Sequence, residues 1–232
     1  MANPTLLITG ASTGIGEASA RRAAEAGYNL ALAARSTKRL ETLAETLEGE
    51  YGVRAVAFTC NVQEWEAQRQ LVDSIADTFG GLDAVFANAG RGLEGRGYGG
   101  SDPEEWREVL LTNVLGPALT IRAAMAELKK SRGHVLITGS VAGRRIMPGS
   151  FYGATKSAVQ SMAYNLREEV KGSGMRVTLI EPGLVDTPFF DDPQKDALEP
   201  DDIARSMVFA LTQPKSVEVH DMCILPTPPI EQ

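Results

Sequence analysis

Seven short apolar runs alternate along this chain with six longer segments of helical period. The runs are Leu6–Ile8, Leu30–Ala33, Val53–Phe58, Ala84–Ala87, Val135–Thr138, Arg176–Ile180 and a last one near Cys223–Leu225. Helical periodicity falls at about 14–26, 37–48, 64–79, 103–130, 152–171 and 200–212. Strands that are apolar on both faces must be covered on both faces, and helices between successive strands supply that cover. The predicted architecture is therefore α/β: one doubly wound domain over residues 1–232, a seven-stranded parallel sheet with helices on both sides. No linker-like stretch and no shift of composition marks a boundary.

Local signals agree with this pattern. Ser101-Asp102-Pro103-Glu104-Glu105 offers a cap, a first-turn proline and acids at a helix start, and Pro200-Asp201-Asp202 does the same later. Two segments are irregular, Arg91–Gly100 and Leu184–Glu199. A short echo links Leu6–Ser12 (LLITGAS) with Val135–Val141 (VLITGSV), each placing Thr-Gly at the end of a strand. Two halves of a doubly wound sheet produce such an echo.

Several function classes are excluded. Lys and Arg number 23 against 30 Asp and Glu, a net charge of −7 that disfavours capture of nucleic acid. Two distant cysteines, Cys60 and Cys223, and two distant histidines, His134 and His220, offer neither a disulfide framework nor a metal site. No apolar stretch approaches the roughly 18 residues that span a bilayer, and the N-terminal residues lack a basic, apolar leader. A cytoplasmic protein without membrane contact is expected.

The turn Thr9–Gly16 (TGASTGIG) follows the first strand and opens the first helix. Glycines there let the backbone turn sharply and approach a pyrophosphate, whose charge the free N–H groups of the helix start favour. This predicts a Rossmann-type dinucleotide site built on Gly10, Ser12, Thr13, Gly14, Ile15 and Gly16. The second strand ends at Ala34-Arg35, with Lys38 and Arg39 following. An acid at this place would grip a ribose 2′-hydroxyl, whereas the cations here suit a 2′-phosphate, so NADP(H) is expected over NAD(H).

Tyr152 and Lys156 stand one helical turn apart. An ammonium beside a phenol favours phenolate, so the Tyr152 pKa is expected to fall from about 10 toward neutrality, the range of a general acid or base.

Taken with its surroundings, this pair makes nearly the whole chain resemble the short-chain dehydrogenase/reductase family in its compact branch. Thr9–Gly16 matches the family's TGxxxGIG, Asn88-Ala89-Gly90 its NAG, and Asn113 the asparagine of the next long helix. Ser140, Tyr152 and Lys156 match its Ser, Tyr and Lys, and Pro182-Gly183 and Thr187 match the motif after the sixth strand. The resemblance implies that Tyr152 transfers a proton and Ser140 orients the substrate oxygen. It also implies that Lys156 binds the nicotinamide ribose and that Asn113 holds a relay water. Asn88, Ala89 and Gly90 would support the adenosine side, and Pro182, Gly183, Val185 and Thr187 the nicotinamide end. Asn61-Val62 departs from the family's common Asp-Val beside the adenine, which implies altered contacts there.

On this reading the cofactor half covers about 1–90, and the catalytic half 91–232 carries a short lid, 184–199. The reaction is hydride transfer between nicotinamide and a small carbonyl compound or secondary alcohol. Ser140, Leu93, Phe151, Leu184, Phe189 and Phe190 would line a partly apolar, open substrate pocket. The C-terminal part is similar to NADP-dependent 3-hydroxy acid and serine dehydrogenases. Two rival readings are a catalytically silent NADP(H) sensor and a 3-oxoacyl-carrier ketoreductase. The family commonly forms dimers or tetramers through the helices at 103–130 and 152–171, so a homodimer or homotetramer is expected. Trp65 and Trp106 are read as packing residues, Cys60 as a small buried hydrophobe, and His134 as non-catalytic. Arg144 and Arg145 are read as loop charges, carboxylate binding being the alternative.

Overall fold

The computed structural model describes residues 3–93, 97–190 and 192–227. The strands are β1 (Thr5–Thr9), β2 (Asn29–Ala34), β3 (Ala55–Thr59), β4 (Ala84–Ala87), β5 (His134–Thr138), β6 (Arg176–Pro182) and β7 (Asp221–Ile224). They form one parallel sheet in the order β3-β2-β1-β4-β5-β6-β7. This is the doubly wound Rossmann arrangement expected. The order reverses between β1 and β4, where Ile8 lies opposite both Leu32 and Phe86.

Strand apolarity on both faces has a direct cause. Leu6 and Ile8 pack with Ala20, Leu40, Leu47 and Met207 on one side of the sheet. Leu7, between them, packs with Ile75, Ile121 and Leu128 on the other. Each such side chain, wholly removed from water, contributes roughly 2 kcal/mol of transfer free energy. The first layer comes from α1 (Gly14–Glu25), α2 (Thr37–Tyr51) and α7 (Pro200–Leu211). The second comes from α3 (Trp65–Phe79), α5 (Gly116–Ser131) and α6 (Phe151–Glu169). Gly52 (φ +68°) and Gly80 (φ +83°) end α2 and α3 in the left-handed conformation that glycine favours.

The segment expected as one helix over 103–130 is divided. The helix α4 (Pro103–Leu110) is capped by Asp102, whose carboxylate accepts from Glu104 N at 3.0 Å. A π-turn, Leu111–Leu115, then separates it from α5, with the Gly116 N–H donating to Leu111 O. The extra residue rotates Asn113 inward until it is buried. Within the 29-residue stretch Pro103–Ser131, one 18-residue window is apolar enough by composition to cross a membrane. That differs from the expectation that no segment approaches such a length. The apolar face is used inside the protein, where Ile121, Ala124 and Leu128 are buried in the second layer.

Trp65 also differs from expectation. It is 41% exposed and lies under the Arg122 guanidinium, 5.8 Å from its ring centroid, instead of packing in the core.

Candidate active site

The carboxyl ends of the parallel strands share one edge, and the loops leaving it enclose a cleft of about 1070 Å³. Ligands bind at this edge of doubly wound sheets because the loops converge there. Gly10, Ser12, Thr13, Gly14 and Ile15 line the cleft beside the switch between β1 and β4. Gly10 (φ +67°) and Gly14 (φ +55°) are left-handed. Thr13, the N-cap of α1, makes no side-chain cap bond, so the first-turn N–H groups lack a side-chain acceptor.

Gly16 behaves differently from its neighbours and does not line the cleft. A Cβ there would lie 2.1 Å from Gly10 O, so this glycine closes the turn of β1 onto α1.

Asn88 organises the floor. Its Nδ2 donates to Thr9 O at 3.1 Å, and its Oδ1 accepts from Thr138 Oγ1 at 3.0 Å. Thr9 Oγ1 accepts from Asn88 N and Ala89 N, both at 3.1 Å. Thr9 and Thr138 are the two threonines of the sequence echo. Their roles were not foreseen, although the echo was the signal that pairs them across β4. Ala89 and Gly90 line the cleft with Asn88.

At one end stand Arg35, Arg39, Cys60, Asn61 and Val62. Asn61 turns part of its amide to α3, donating to Glu64 Oε1 at 2.8 Å. Cys60 is buried, as expected, and loss of water pushes its thiol up to about 11, with Glu64 adding to the shift.

Ser140, Tyr152 and Lys156 meet at the other end. Ser140 opens a tight 3₁₀ turn, Val141–Gly143, its Oγ accepting from Ala142 N at 3.1 Å. Ser150 caps α6 by accepting from Gly153 N at 3.0 Å, which starts the helix that carries Tyr152 and Lys156. Lys156 is 5% exposed, and its Nζ donates to Thr138 O at 2.9 Å. Burial lowers its pKa to about 8. The expected lowering of the Tyr152 pKa is not found. Burial pushes the phenol up to about 12, against an opposing hydrogen bond with Ser140. The reason is positional. Lys156 Nζ is held by Thr138 and lies over the ring, 5.8 Å from its centroid, so desolvation of the phenol dominates.

Asn113 does not line the cleft. Its Oδ1 accepts from Arg91 N at 2.9 Å and its Nδ2 donates to Arg91 O at 3.0 Å, bracing the loop after β4. At Gly90, a Cβ would lie 3.5 Å from Asn113 Oδ1 and 3.9 Å from Lys156 Nζ, ordinary contact distances, so both groups face this residue.

Pro182, Gly183, Leu184, Val185, Thr187, Phe189 and Phe190 form the facing wall, with Leu93 opposite. The segment expected as a lid, 184–199, is closed at its base by Leu198, whose N–H donates to Leu184 O and whose O accepts from Asp186 N. Phe189 packs its edge 5.8 Å from the Tyr152 ring and lies over Gly92, where a Cβ would be 3.1 Å away. Phe151, expected in the pocket, is not among the lining residues. Its ring stacks on Trp106 at 5.0 Å, a contact between residues 45 positions apart that no local pattern announces. Arg145 and Met147 line the cleft, whereas Arg144 turns away to Glu181. Among the described residues, no group of three His, Cys, Asp or Glu is placed to hold a metal.

The comparisons agree with this geometry. A family profile described as short chain dehydrogenase matches residues 4–197. An uncharacterized oxidoreductase of Staphylococcus aureus (strain USA300) is 35% identical over 225 residues, covering 95% of this chain and 96% of its own length. The alcohol dehydrogenase of the archaeon Thermococcus sibiricus, solved with 5-hydroxy-NADP, superposes with a TM-score of 0.91. Its identity is 34%, over 98% of this chain and 99% of that one. The serine dehydrogenase of Escherichia coli superposes at 0.85 with 28% identity, over 96% of this chain and 97% of that one. Profile, relative and fold all point the same way: the chain belongs to the short chain dehydrogenase family of NAD(P)-dependent oxidoreductases.

Proposed function

We propose that this protein transfers a hydride between NADP(H) and a small carbonyl compound or secondary alcohol, with Tyr152 as general acid and base. The observation that carries the reading is a single cleft in which Ser140, Tyr152 and Lys156 adjoin a left-handed glycine turn and an uncapped helix start. These residues fit a dinucleotide. Gly10, Ser12, Thr13, Gly14 and Ile15 would hold its pyrophosphate at the start of α1, with Gly16 keeping the turn closed. Arg35, with Arg39 beside it in the cleft, would pair with a 2′-phosphate. Asn61, Val62, Asn88, Ala89 and Gly90 would support the adenosine side, and Pro182, Gly183, Val185 and Thr187 the nicotinamide end. When bound, the nicotinamide supplies the hydride in reduction and accepts it in oxidation.

The proton chemistry belongs to the chain. Burial keeps Tyr152 protonated through neutral pH, so its O–H is available to a carbonyl oxygen. Ser140 adds a second hydroxyl donor where negative charge develops. In oxidation Tyr152 must accept the alcohol proton as phenolate, the form that its burial disfavours. Asn113 holds the Arg91 backbone, next to Gly90, and its Oδ1 keeps a second lone pair that would accept from a relay water.

Leu93, Leu184, Phe189 and Phe190 make the substrate end largely apolar. The exposed Leu110, Leu115 and Tyr164 on α4 to α6 support assembly into a homodimer or homotetramer. The acidic balance and the buried apolar face of α5 support a cytoplasmic enzyme that binds neither membrane nor nucleic acid. The test is oxidation of NADPH and of NADH over a panel of small aldehydes, ketones and oxo acids. Turnover faster with NADPH is expected. Cofactor binding without turnover on any of them contradicts the proposal.

A further inference from the structure

Glu181 is a carboxylate without contact to water. It directly precedes Pro182, the last residue of β6, and is wholly buried. A carboxylate so placed must be paired. Arg144 supplies the partner: its Nε donates to Glu181 Oε2 at 2.5 Å, and a terminal nitrogen contacts the same oxygen. Gln160 on α6 donates to Oε1 at 3.5 Å. Neither Glu181 nor Arg144 lines the cleft.

What the pair joins is specific. A Cβ at Gly139 would lie 2.9 Å from Glu181 Cγ, so the residue before Ser140 is a glycine where the Glu181 stem crosses it. The Gly139 N–H donates to Ile180 O at 2.7 Å. On the far side of Ser140, Gly143 is packed against α6 so closely that a Cβ would lie 2.7 Å from the Lys156 carbonyl carbon. Ser157 Oγ donates to Gly143 O at 2.9 Å. The segment from Ser140 to Arg144 is thus fastened to β6 at both ends and to α6 in between.

We infer that Glu181 and Arg144 are positioning residues for hydride transfer. Their ion pair fixes the Ser140 hydroxyl against the Pro182-Gly183 wall, across the space where substrate and nicotinamide would meet. The inference rests on the function proposed above. Misplacement of reacting groups by about 1 Å costs on the order of 100-fold in rate.

The test uses the full chain, NADPH and the best carbonyl substrate of the panel, with hydride transfer followed in single turnovers. Glu181→Gln and Arg144→Met should lower the single-turnover rate constant roughly 10- to 100-fold, with the amplitude per folded chain retained. Arg144→Lys should recover part of the loss. Removing Arg144 leaves the Glu181 carboxylate buried without its cation, which also weakens the fold. A double variant, Glu181→Met with Arg144→Met, therefore replaces the pair with apolar side chains of similar reach. It should melt closer to the wild type than either single variant and remain slow. The inference is overturned if amplitude falls while the rate constant stays at the wild-type value, or if the double variant is as fast as wild type. Tyr152→Phe separates the two claims. If that variant turns over normally, the proposed reaction fails and this inference with it. If it is inactive while Glu181→Gln is as fast as wild type, only this inference fails.

Discussion

Replacing His134 by Leu should flatten the dependence of stability on acid pH. His134 begins β5 and is 2% exposed. Its Nε2 lies 2.8 Å from Thr178 Oγ1, and that hydroxyl donates its own proton to Val219 O at 2.6 Å. Nε2 must therefore carry the hydrogen and donate to Thr178, leaving Nδ1 as the site of any added proton. Among the described residues Nδ1 has no partner. Burial, reinforced by the charge of Arg176, lowers the pKa from 6.5 to about 3. The unfolded chain then binds a proton below about 6.5 that the folded chain refuses until near 3. Stability from this group is fully present above 6.5 and is lost as pH falls. The loss is about 1.4 kcal/mol per pH unit, so roughly 3 kcal/mol separates pH 7 from pH 4.5. Urea unfolding of wild type and His134→Leu at several pH values between those limits measures it. The variant should lose roughly 3 kcal/mol less than the wild type across the interval. Parallel curves for the two proteins would refute the argument.

Two further substitutions probe the cofactor half. Gly16→Ala places a Cβ 2.1 Å from Gly10 O, so the usual gain from alanine in a helix is reversed. Overpacking should lower the melting temperature by roughly 5 °C, and cofactor titration by fluorescence should show weaker binding. A higher melting temperature would show that the turn has room. Arg35→Ala should reduce the ratio of kcat/KM for NADPH over NADH by roughly 10- to 100-fold, the worth of a charge-assisted contact to phosphate. An unchanged ratio would move 2′-phosphate recognition to another residue.

The residues that sequence made legible are those whose chemistry is local or whose pattern repeats. Leu6–Ile8 and Val135–Thr138 read as buried strands because nothing polar interrupts them, and the structure pairs both with β4. The glycine turn was visible because strand, glycines and helix follow one another directly. Other features depend on contacts across long sequence separations. Asn113 turns inward through a π-turn that periodicity cannot distinguish from a regular helix. Phe151 reads as a pocket residue from its place beside Tyr152, whereas its ring stacks on Trp106. Glu181 is an ordinary residue in the sequence, and only the fold, closing its 37-residue separation from Arg144, makes it a buried carboxylate paired with a part-exposed arginine. The fall expected of the Tyr152 pKa is reversed because the spacing to Lys156 carries no information on how deeply the phenol is buried, and burial is the larger effect.

The central claim is that Tyr152 moves the proton. Turnover and cofactor binding of Tyr152→Phe, measured side by side on the same preparation, test it most directly. The account predicts that kcat falls roughly 100- to 10,000-fold, the range for loss of a general acid. NADPH affinity, read from fluorescence titration, should stay within about threefold of wild type, because the lost hydroxyl is small beside the many contacts to the dinucleotide. A variant that keeps wild-type turnover would contradict the account.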